Sequence, residues 1–215
     1  MFSVLVANVK GGCGKTTVAT NLAAAFASTG KRTSLADVDR QRSSLGWVAR
    51  RPKALPAIAA IDWVKEIGDP PDGTDRLVID SPAAMKVKQV EKLVRLADAI
   101  VIPVHPGTFD QLSTERFLGK LNDLKAIAKH RMPVAVIGNR VRVNTRAAVR
   151  LDAYLGGLGH AVVTRLRDTQ LYADVAETGL SLFDLSSQRA AEYRDEWSAL
   201  LAYLETAIKV PATEC

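Results

Sequence analysis

One segment near the N-terminus combines glycine, lysine and threonine at a spacing that suits phosphate binding. Residues 10–17 read Lys-Gly-Gly-Cys-Gly-Lys-Thr-Thr. Glycines let a backbone turn and approach a ligand without a Cβ clash, so several N–H groups can point at phosphate oxygens. In such loops a lysine reaches the β- and γ-phosphates and the next hydroxyl binds Mg²⁺, and here these are Lys15 and Thr16. The segment therefore predicts a nucleoside triphosphate site with Mg²⁺.

The loop departs from the common phosphate-binding pattern at its first position. That pattern places a glycine five residues before the Gly14-Lys15 pair, where this chain has Val9. A second lysine, Lys10, opens the loop instead. Lys10 lies too early in the loop to replace Lys15, so the two lysines need different tasks.

Lys10-Gly-Gly-x-Gly-Lys-Thr-Thr17 resembles the deviant phosphate loop of the ParA/MinD family of P-loop ATPases. The resemblance covers nearly the whole chain. Residues 35–43 are similar to the family's first switch, usually Asp-x-Asp-Pro-Gln, with Arg40 in place of the proline. Residues 77–82 are similar to its second carboxylate strand, and residues 179–184 to a late family segment.

The resemblance implies ATP and Mg²⁺ as cofactors and a role for each charged residue of the site. Lys15 would bind its own nucleotide, while Lys10 would cross a dimer interface to the partner's phosphates, like an arginine finger supplied in trans. Asp39 would position the attacking water. The implied catalytic residues are Lys10, Lys15 and Asp39, and the implied nucleotide contacts are Lys10, Gly11, Gly12, Cys13, Gly14, Lys15, Thr16, Thr17 and Asn139.

The same resemblance implies a metal site formed by Thr16, Asp37 and Asp80, with Asp80 holding Mg²⁺ through a water. Two alternatives stay open for the aspartates: Asp37 could position the water in place of Asp39, and each could be a helix cap or a surface charge. Asn139 is expected near the adenine, where an amide could read the purine edge, and the alternative is a turn residue.

Short apolar segments alternate with helical patterns along the chain, which predicts a single doubly wound, mostly parallel sheet with helices on both faces. The resemblance implies the P-loop NTPase fold, expected to form one domain over residues 1–215. Asn8, Asp37 and Asp80 end strands, where ligands of such sheets bind. The predicted strands cover residues 2–8, 33–37, 76–80, 99–104, 133–138 and 160–164, and the predicted helices 15–28, 87–96, 111–129 and 145–155.

A final helix is predicted over about 188–209, with one apolar stripe and one acidic face. The stripe comprises Tyr193, Trp197, Leu200, Leu201, Leu204 and Ile208. The pattern indicates a helix packed on the body of the protein. A helix lying on a membrane would normally carry a basic polar face, so no membrane partner is expected.

The remaining composition favours a cytoplasmic protein. Hydrophobic residues make up 47% of the chain, yet no apolar run approaches the ~20 residues that span a bilayer. The N-terminus lacks the features of a secretory signal. A second use of the same loop, metallocluster assembly or electron transfer, would need cysteines outside it, and the chain offers only Cys215 beyond Cys13.

A basic stretch follows the predicted strand 133–138. Six arginines fall within 28 residues, and Asp152 is the only acid between the first and last of them. They are Arg140, Arg142, Arg146, Arg150, Arg165 and Arg167. The alternatives are a solvated helix face and a surface that binds DNA non-specifically.

The resemblance favours the DNA surface. It implies a partitioning or positioning ATPase that forms an ATP-dependent homodimer on the nucleoid, and a cargo-linked activator protein that stimulates hydrolysis and releases the dimer. The cargo could be a plasmid, a chromosome region, a protein cluster or a microcompartment.

Overall fold

The fold is a parallel sheet of seven strands, in a computed structural model that describes residues 1–124, 127 and 132–209. The strands are β1 (Phe2–Val6), β2 (Thr33–Asp37), β3 (Ile58–Asp62), β4 (Arg76–Asp80), β5 (Ala99–Val104), β6 (Val134–Val141) and β7 (Ala161–Arg167). Their order across the sheet is β3-β2-β4-β1-β5-β6-β7, and all the pairings are parallel. The predicted α/β architecture is confirmed.

Helices cover both faces of this sheet. They are α1 (Lys15–Ser28), α2 (Ser43–Arg50), α3 (Val87–Val94), α4 (Thr108–Asn122), α5 (Arg146–Gly156), α6 (Leu171–Glu177), α7 (Gln188–Asp195) and α8 (Ser198–Lys209), with a short 3-10 helix at Leu182–Asp184. Leu93, Leu121 and Leu151 place α3, α4 and α5 over one core. Leu22 and Leu204 place α1 and α8 over the other. The helices change faces because the chain runs from β1 to the edge strand β3 and then in the opposite direction through β4 and β5 to β7, and right-handed crossovers in opposite directions lie on opposite faces.

The inner strands are the elements that the sequence predicts best. All residues of β1, β2 and β5 are buried, and the sequences of β1 and β5 are almost entirely apolar, as expected for strands covered on both faces. The edge strand β3 was not predicted, because only Ile58 of its five residues is fully buried. Part of the helix predicted over 111–129 lies outside the described residues, and its described part begins earlier, at Thr108.

The helix predicted over about 188–209 is divided into α7 and α8. Trp197 lies in the break and is fully buried. Its ring centroid lies 6.5 Å from that of Tyr172 and 5.9 Å from that of Phe183, and its Nε1 donates to the Tyr172 hydroxyl at 3.0 Å. An apolar stripe at helical spacing does not reveal such a break.

The helices of the described chain include none with the length and apolar character needed to span a membrane.

Candidate nucleotide site

The predicted site residues meet at the carboxyl edge of three adjacent strands. The phosphate loop follows β1, Asp37 ends β2, and Asp80 ends β4. Cα atoms pair in register between Asp37 and Asp80, and between Val6 and Asp80. The convergence expected from the strand ends is therefore present.

The loop that carries the two lysines is shaped by its glycines and by one distant side chain. Gly12 and Gly14 have φ values of 79° and 89°, in the left-handed region that favours glycine. A methyl group on Gly14 would overlap the Asn139 amide. The same amide nitrogen donates to the Cys13 carbonyl at 2.7 Å. The loop then enters the N-terminus of α1, whose free N–H groups and dipole favour an anion.

Asn139 thus has a structural task that its sequence position did not reveal. It lies within β6 rather than at a strand end, and it is buried. Its contact with Cys13 spans 126 positions of the chain. Contact with a purine stays a prediction.

The two lysines of the loop have different surroundings. Lys15 is only 8% exposed, and its Nζ donates to the Lys10 carbonyl at 3.0 Å. The Lys10 side chain forms no ion pair with the described residues. The Asp110 carboxylate lies 3.9 Å from His105 Nδ1 and forms no ion pair with Lys10. Lys15 is therefore held inside the loop, and Lys10 remains open to another partner.

Cys13 fills the interior of the loop. It is fully buried, and its Sγ donates to the Lys10 carbonyl at 3.3 Å. Burial raises the pKa of its thiol above the ordinary value, although the Lys15 ammonium works in the opposite direction. The thiol is therefore a packing group rather than a nucleophile. Cys215 lies outside the described residues.

Asp80 has the properties of a metal-binding carboxylate. It is 1% exposed, and its Oδ1 makes no hydrogen bond within the described chain. Burial raises its pKa to about 7, with the Thr16 hydroxyl opposing that effect and Asp37 adding to it. A buried carboxylate oxygen without a partner, close to a hydroxyl, offers the oxygen ligands that Mg²⁺ prefers. Thr16 and Asp80 therefore fit the ion.

Asp37 has a different set of partners. Its Oδ1 accepts from the Asp39 N–H at 2.9 Å, and its Oδ2 accepts from the Ser44 hydroxyl at 2.7 Å and the N–H groups of Ser44 and Leu45 at 3.0 and 3.2 Å. These bonds satisfy free donors at the start of α2. The helix-cap alternative therefore describes Asp37 well, and its carboxylate is accounted for without a metal.

Asp39 is the more accessible of the two aspartates in this loop. It is partly exposed, and its Oδ1 accepts from the Gln41 N–H at 3.0 Å. The Arg42 N–H donates to the Asp39 carbonyl at 2.9 Å and closes a turn. This turn holds a carboxylate near the end of β2 without enclosing it, as the positioning of a water requires.

The late segment 179–184 ties α2 to α1, a task for which the sequence held no clear signal. Asn21 in α1 accepts from the Leu182 N–H at 3.1 Å, and the Trp47 Nε1 in α2 donates to the Leu180 carbonyl at 2.9 Å. Asp184 forms a two-point ion pair with Arg51, with contacts of 2.7 and 2.8 Å. The segment therefore fixes the helix that follows Asp37 and Asp39.

The Arg51–Asp184 pair predicts a pH-dependent stability. Burial alone would raise the pKa of Asp184, but hydrogen bonds from Arg51 and Ser181 outweigh it and hold that pKa below the ordinary value. A carboxylate with a lowered folded pKa adds stability above its unfolded pKa, and this stability is lost as the pH falls through the folded value. We expect Asp184→Asn to lower the free energy of unfolding at neutral pH by about 3 kcal/mol, because buried Arg51 loses its partner.

Urea unfolding across a pH series tests this expectation. The difference between wild type and Asp184→Asn should shrink as the pH falls below the ordinary aspartate range of ~4. Asp72→Asn, at an exposed position, is the control and should match wild type. An unchanged difference at low pH would contradict the proposed origin of the stability.

Four of the six arginines form ion pairs. Asp168 lies 3.6 Å from Arg140 and 2.9 Å from Arg142, and the hydrogen bond from Arg142 helps to hold its pKa below the ordinary value. Arg165 pairs with Asp152, and Arg167 pairs with Glu196. Counting acids only between the first and last arginine missed Asp168, which directly follows Arg167, and Glu196, which lies 29 positions beyond it.

The other two arginines lie on α5. Arg146 and Arg150 are exposed and form no ion pair with residues that the structure describes. Arg142 precedes the helix, because Thr145 is its N-cap and accepts from the Ala148 N–H at 3.2 Å. Arg146 and Arg150 are thus the members of the predicted DNA surface whose charge is not already neutralised.

Comparison with known proteins agrees with this geometry. Residues 4–182 match the model of the CobQ/CobB/MinD/ParA nucleotide binding domain. The chain is 27% identical over 207 residues to "Maintenance of carboxysome distribution protein A" from Halothiobacillus neapolitanus, covering 93% of this chain and 94% of that relative.

Solved structures show the same fold. The ATP complex of a Cyanothece McdA variant matches with a TM-score of 0.72 at 17% identity, over 100% of this chain and 99% of that one. A plasmid partition protein from Borrelia burgdorferi matches with a TM-score of 0.67 at 15% identity, over 97% of this chain and 98% of that one.

Proposed function

The chain belongs to the CobQ/CobB/MinD/ParA family of nucleotide-binding domains, and from that premise we propose that it is an ATP-driven positioning ATPase. The observation that carries the proposal is the two-lysine loop. Lys15 is enclosed at the expected phosphate position, while Lys10 has no ion-pair partner among the described residues. A lysine of a phosphate loop that has no ion-pair partner in its own subunit can bind a phosphate held by a second subunit.

In this proposal the loop amides and Lys15 bind the phosphates of ATP, and Thr16 and Asp80 hold Mg²⁺. The ion supplies positive charge that neutralises the phosphate oxygens. Asp39 orients the attacking water and accepts its proton. Asp37 keeps α2, and with it the Asp39 turn, in place through its bonds to Ser44 and Asp39. Hydrolysis yields ADP and phosphate.

ATP binding joins two subunits, because Lys10 of each contacts the phosphates held by the other. Dimerisation also joins two surfaces that contain Arg146 and Arg150. One subunit has few phosphate contacts and binds DNA weakly, whereas doubling the contacts strengthens binding steeply, since each adds a counterion-release term. Acidic side chains already form ion pairs with Arg142, Arg165 and Arg167. These three arginines therefore contribute less to DNA binding.

The cargo is proposed from the relatives. One is named for carboxysome distribution and another for plasmid partition, so the cargo is a body that must be spread over the nucleoid. A cargo-linked activator protein stimulates hydrolysis and releases the dimer from DNA. The protein would then cycle between the nucleoid and the cytoplasm.

Fluorescence anisotropy on unrelated DNA duplexes tests the proposal. With ATP, binding should ignore sequence and fall steeply with salt, and with ADP it should be weak. Lys10→Ala should bind nucleotide yet stay monomeric and bind DNA as weakly as the ADP form. Arg146→Ala/Arg150→Ala should still dimerise, with a salt slope that is lower by about 0.9 for each lost phosphate contact.

Lys53→Ala/Arg189→Ala is the matched control, because it removes the same charge from exposed positions elsewhere. It should bind DNA like wild type. Equal DNA binding with ATP and ADP, a strong preference for one duplex, or a stable ATP dimer of Lys10→Ala would each count against the proposal.

A further inference from the structure

Arg40 is a cation beside the nucleotide site that the proposed reaction does not yet use. It directly follows Asp39 and stands where the resembling first switch usually has a proline. A proline has neither charge nor N–H, whereas an arginine brings a planar guanidinium that binds phosphate at two points. Its position beside the carboxylate that orients the attacking water therefore raises the question of a catalytic role.

The turn around Arg40 fixes the point from which its side chain starts. The Arg42 N–H donates to the Asp39 carbonyl at 2.9 Å, and the Gln41 N–H donates to the Asp39 carboxylate at 3.0 Å. Arg40 is thus the second residue of a closed four-residue turn. The Asp39 N–H donates to Asp37 at 2.9 Å, which connects the turn to the buried end of β2. The backbone of Arg40 is therefore held next to Asp39.

The turn and the phosphate loop lie at the same edge of the sheet. The turn follows β2 and the phosphate loop follows β1, with only β4 between these two strands. Because neighbouring strands are about 4.8 Å apart, the ends of β1 and β2 are separated by about 10 Å. An extended arginine side chain covers most of such a distance, and the triphosphate itself occupies the rest. Arg40 is therefore placed to reach the terminal phosphates.

The guanidinium of Arg40 is available for an anion. Its residue is exposed, and its side chain forms no hydrogen bond or ion pair with the residues that the structure describes. Arg42 of the same turn pairs with Asp62 at 2.9 Å. Asp62 ends β3, which lies on the side of β2 away from the phosphate loop. Arg42 is thus held away from the phosphates, whereas Arg40 is free to bind them.

We propose that Arg40 is a catalytic arginine that acts in cis, on the ATP bound to its own subunit. In hydrolysis the water oxygen bonds to the γ-phosphorus while the bond from this phosphorus to the β–γ bridging oxygen breaks. The bridging oxygen leaves with the electron pair as part of ADP, and Asp39 accepts one proton from the water. Arg40 keeps its own protons and donates one N–H to the bridging oxygen and another to a γ-phosphate oxygen.

The contact of Arg40 accelerates hydrolysis because charge moves during the reaction. Negative charge grows on the bridging oxygen as its bond to phosphorus breaks, so the guanidinium binds the transition state more tightly than ATP. Other P-loop enzymes gain about 10³–10⁵-fold in rate from an arginine at this position of the substrate. The inference rests on the proposed ATPase activity and adds a residue to its mechanism.

Single-turnover phosphate release and the binding of a transition-state mimic test this role. Arg40→Ala should release phosphate about 10³-fold more slowly or worse, while its affinity for Mg²⁺ and ATP should change less than about threefold. Its affinity for ADP with Mg²⁺ and aluminium fluoride, which mimics the transition state, should fall at least about hundredfold. Arg40→Lys keeps the charge without the planar fork and should stay at least about tenfold slower than wild type.

Matched variants control for charge and folding. Arg42→Ala removes the same charge from the same turn and leaves its backbone N–H in place, so it should release phosphate like wild type. Arg40→Ala changes an exposed side chain, and its midpoint of urea unfolding should therefore match that of wild type.

Mixed dimers separate action in cis from action on the partner's nucleotide. Asp39→Asn and Arg40→Ala are combined in equal amounts with ATP. If Arg40 acts in its own subunit, each site of a mixed dimer lacks one of the two groups. The mixture should then release phosphate no faster than the two variants measured alone.

Four results would overturn the inference. The first is phosphate release by Arg40→Ala or Arg40→Lys at the rate of wild type. The second is an equal loss of affinity for ATP and for the aluminium fluoride complex, which would make Arg40 a ground-state contact. The third is an equally slow Arg42→Ala, and the fourth is recovery in the mixed dimers, which would place Arg40 on the partner's phosphates. A wild-type chain that releases no phosphate would refute the proposed function as well.

Discussion

Lys15→Ala is expected to remove ATP binding. Lys15 is only 8% exposed and its Nζ already lies inside the loop, 3.0 Å from the Lys10 carbonyl. Charge-assisted hydrogen bonds contribute about 1.5–3 kcal/mol each. Losing the hydrogen bonds from Lys15 to two phosphate groups should therefore weaken the affinity for ATP at least about hundredfold. Isothermal titration calorimetry with Mg²⁺ and ATP measures this directly.

Contacts other than the Lys15–Lys10 hydrogen bond also hold the loop, so the effect should be specific. Asn139 holds Cys13, and glycines at positions 12 and 14 provide the left-handed turns. Lys10→Ala is the matched control, because it removes a lysine from the same loop and should keep ATP binding. Thermal unfolding without nucleotide should show both variants folded. Affinity like that of wild type in Lys15→Ala would contradict the assignment of the loop.

Local patterns in the sequence were enough to predict the centre of this fold. Strands such as β1 and β5 are buried on both faces, and their continuous apolar runs are visible in the sequence. The phosphate loop is also a local feature, because its backbone conformation depends on neighbouring glycines. Elements that are short and half exposed, such as β3, α2 and α6, give no comparable signal.

The contacts that complete the site join distant parts of the chain. Asn139 and Cys13 are 126 positions apart, and Arg51 and Asp184 are 133 apart. A single sequence identifies Arg51 as basic and Asp184 as acidic, but the choice of partner follows from which loops the sheet brings together. The same limit applies to the arginines, because the pairing of Arg167 with Glu196 depends on where α7 ends.

Changing Asp37 or Asp39 to asparagine is expected to have different effects. Asp37→Asn should mainly lower stability, and Asp39→Asn should mainly slow hydrolysis. Asp37→Asn places an amide among the donors of Ser44 and Leu45, so a hydrogen-bond acceptor is lost in a buried position. Such a loss costs about 1–3 kcal/mol. We therefore expect Asp37→Asn to lower the midpoint of urea unfolding. The rate of ATP hydrolysis should fall only in proportion to the fraction of molecules in which α2 is disordered.

Asp39→Asn should show the opposite pattern. Asp39 is partly exposed and accepts one turn hydrogen bond, from Gln41, that an asparagine can also accept. Stability should stay near that of wild type, whereas single-turnover phosphate release should slow by about 10²–10⁴-fold, the range for a lost general base. The ATP dimer should then persist on DNA. If instead Asp39→Asn releases phosphate normally and Asp37→Asn is stable but inactive, Asp37 positions the water.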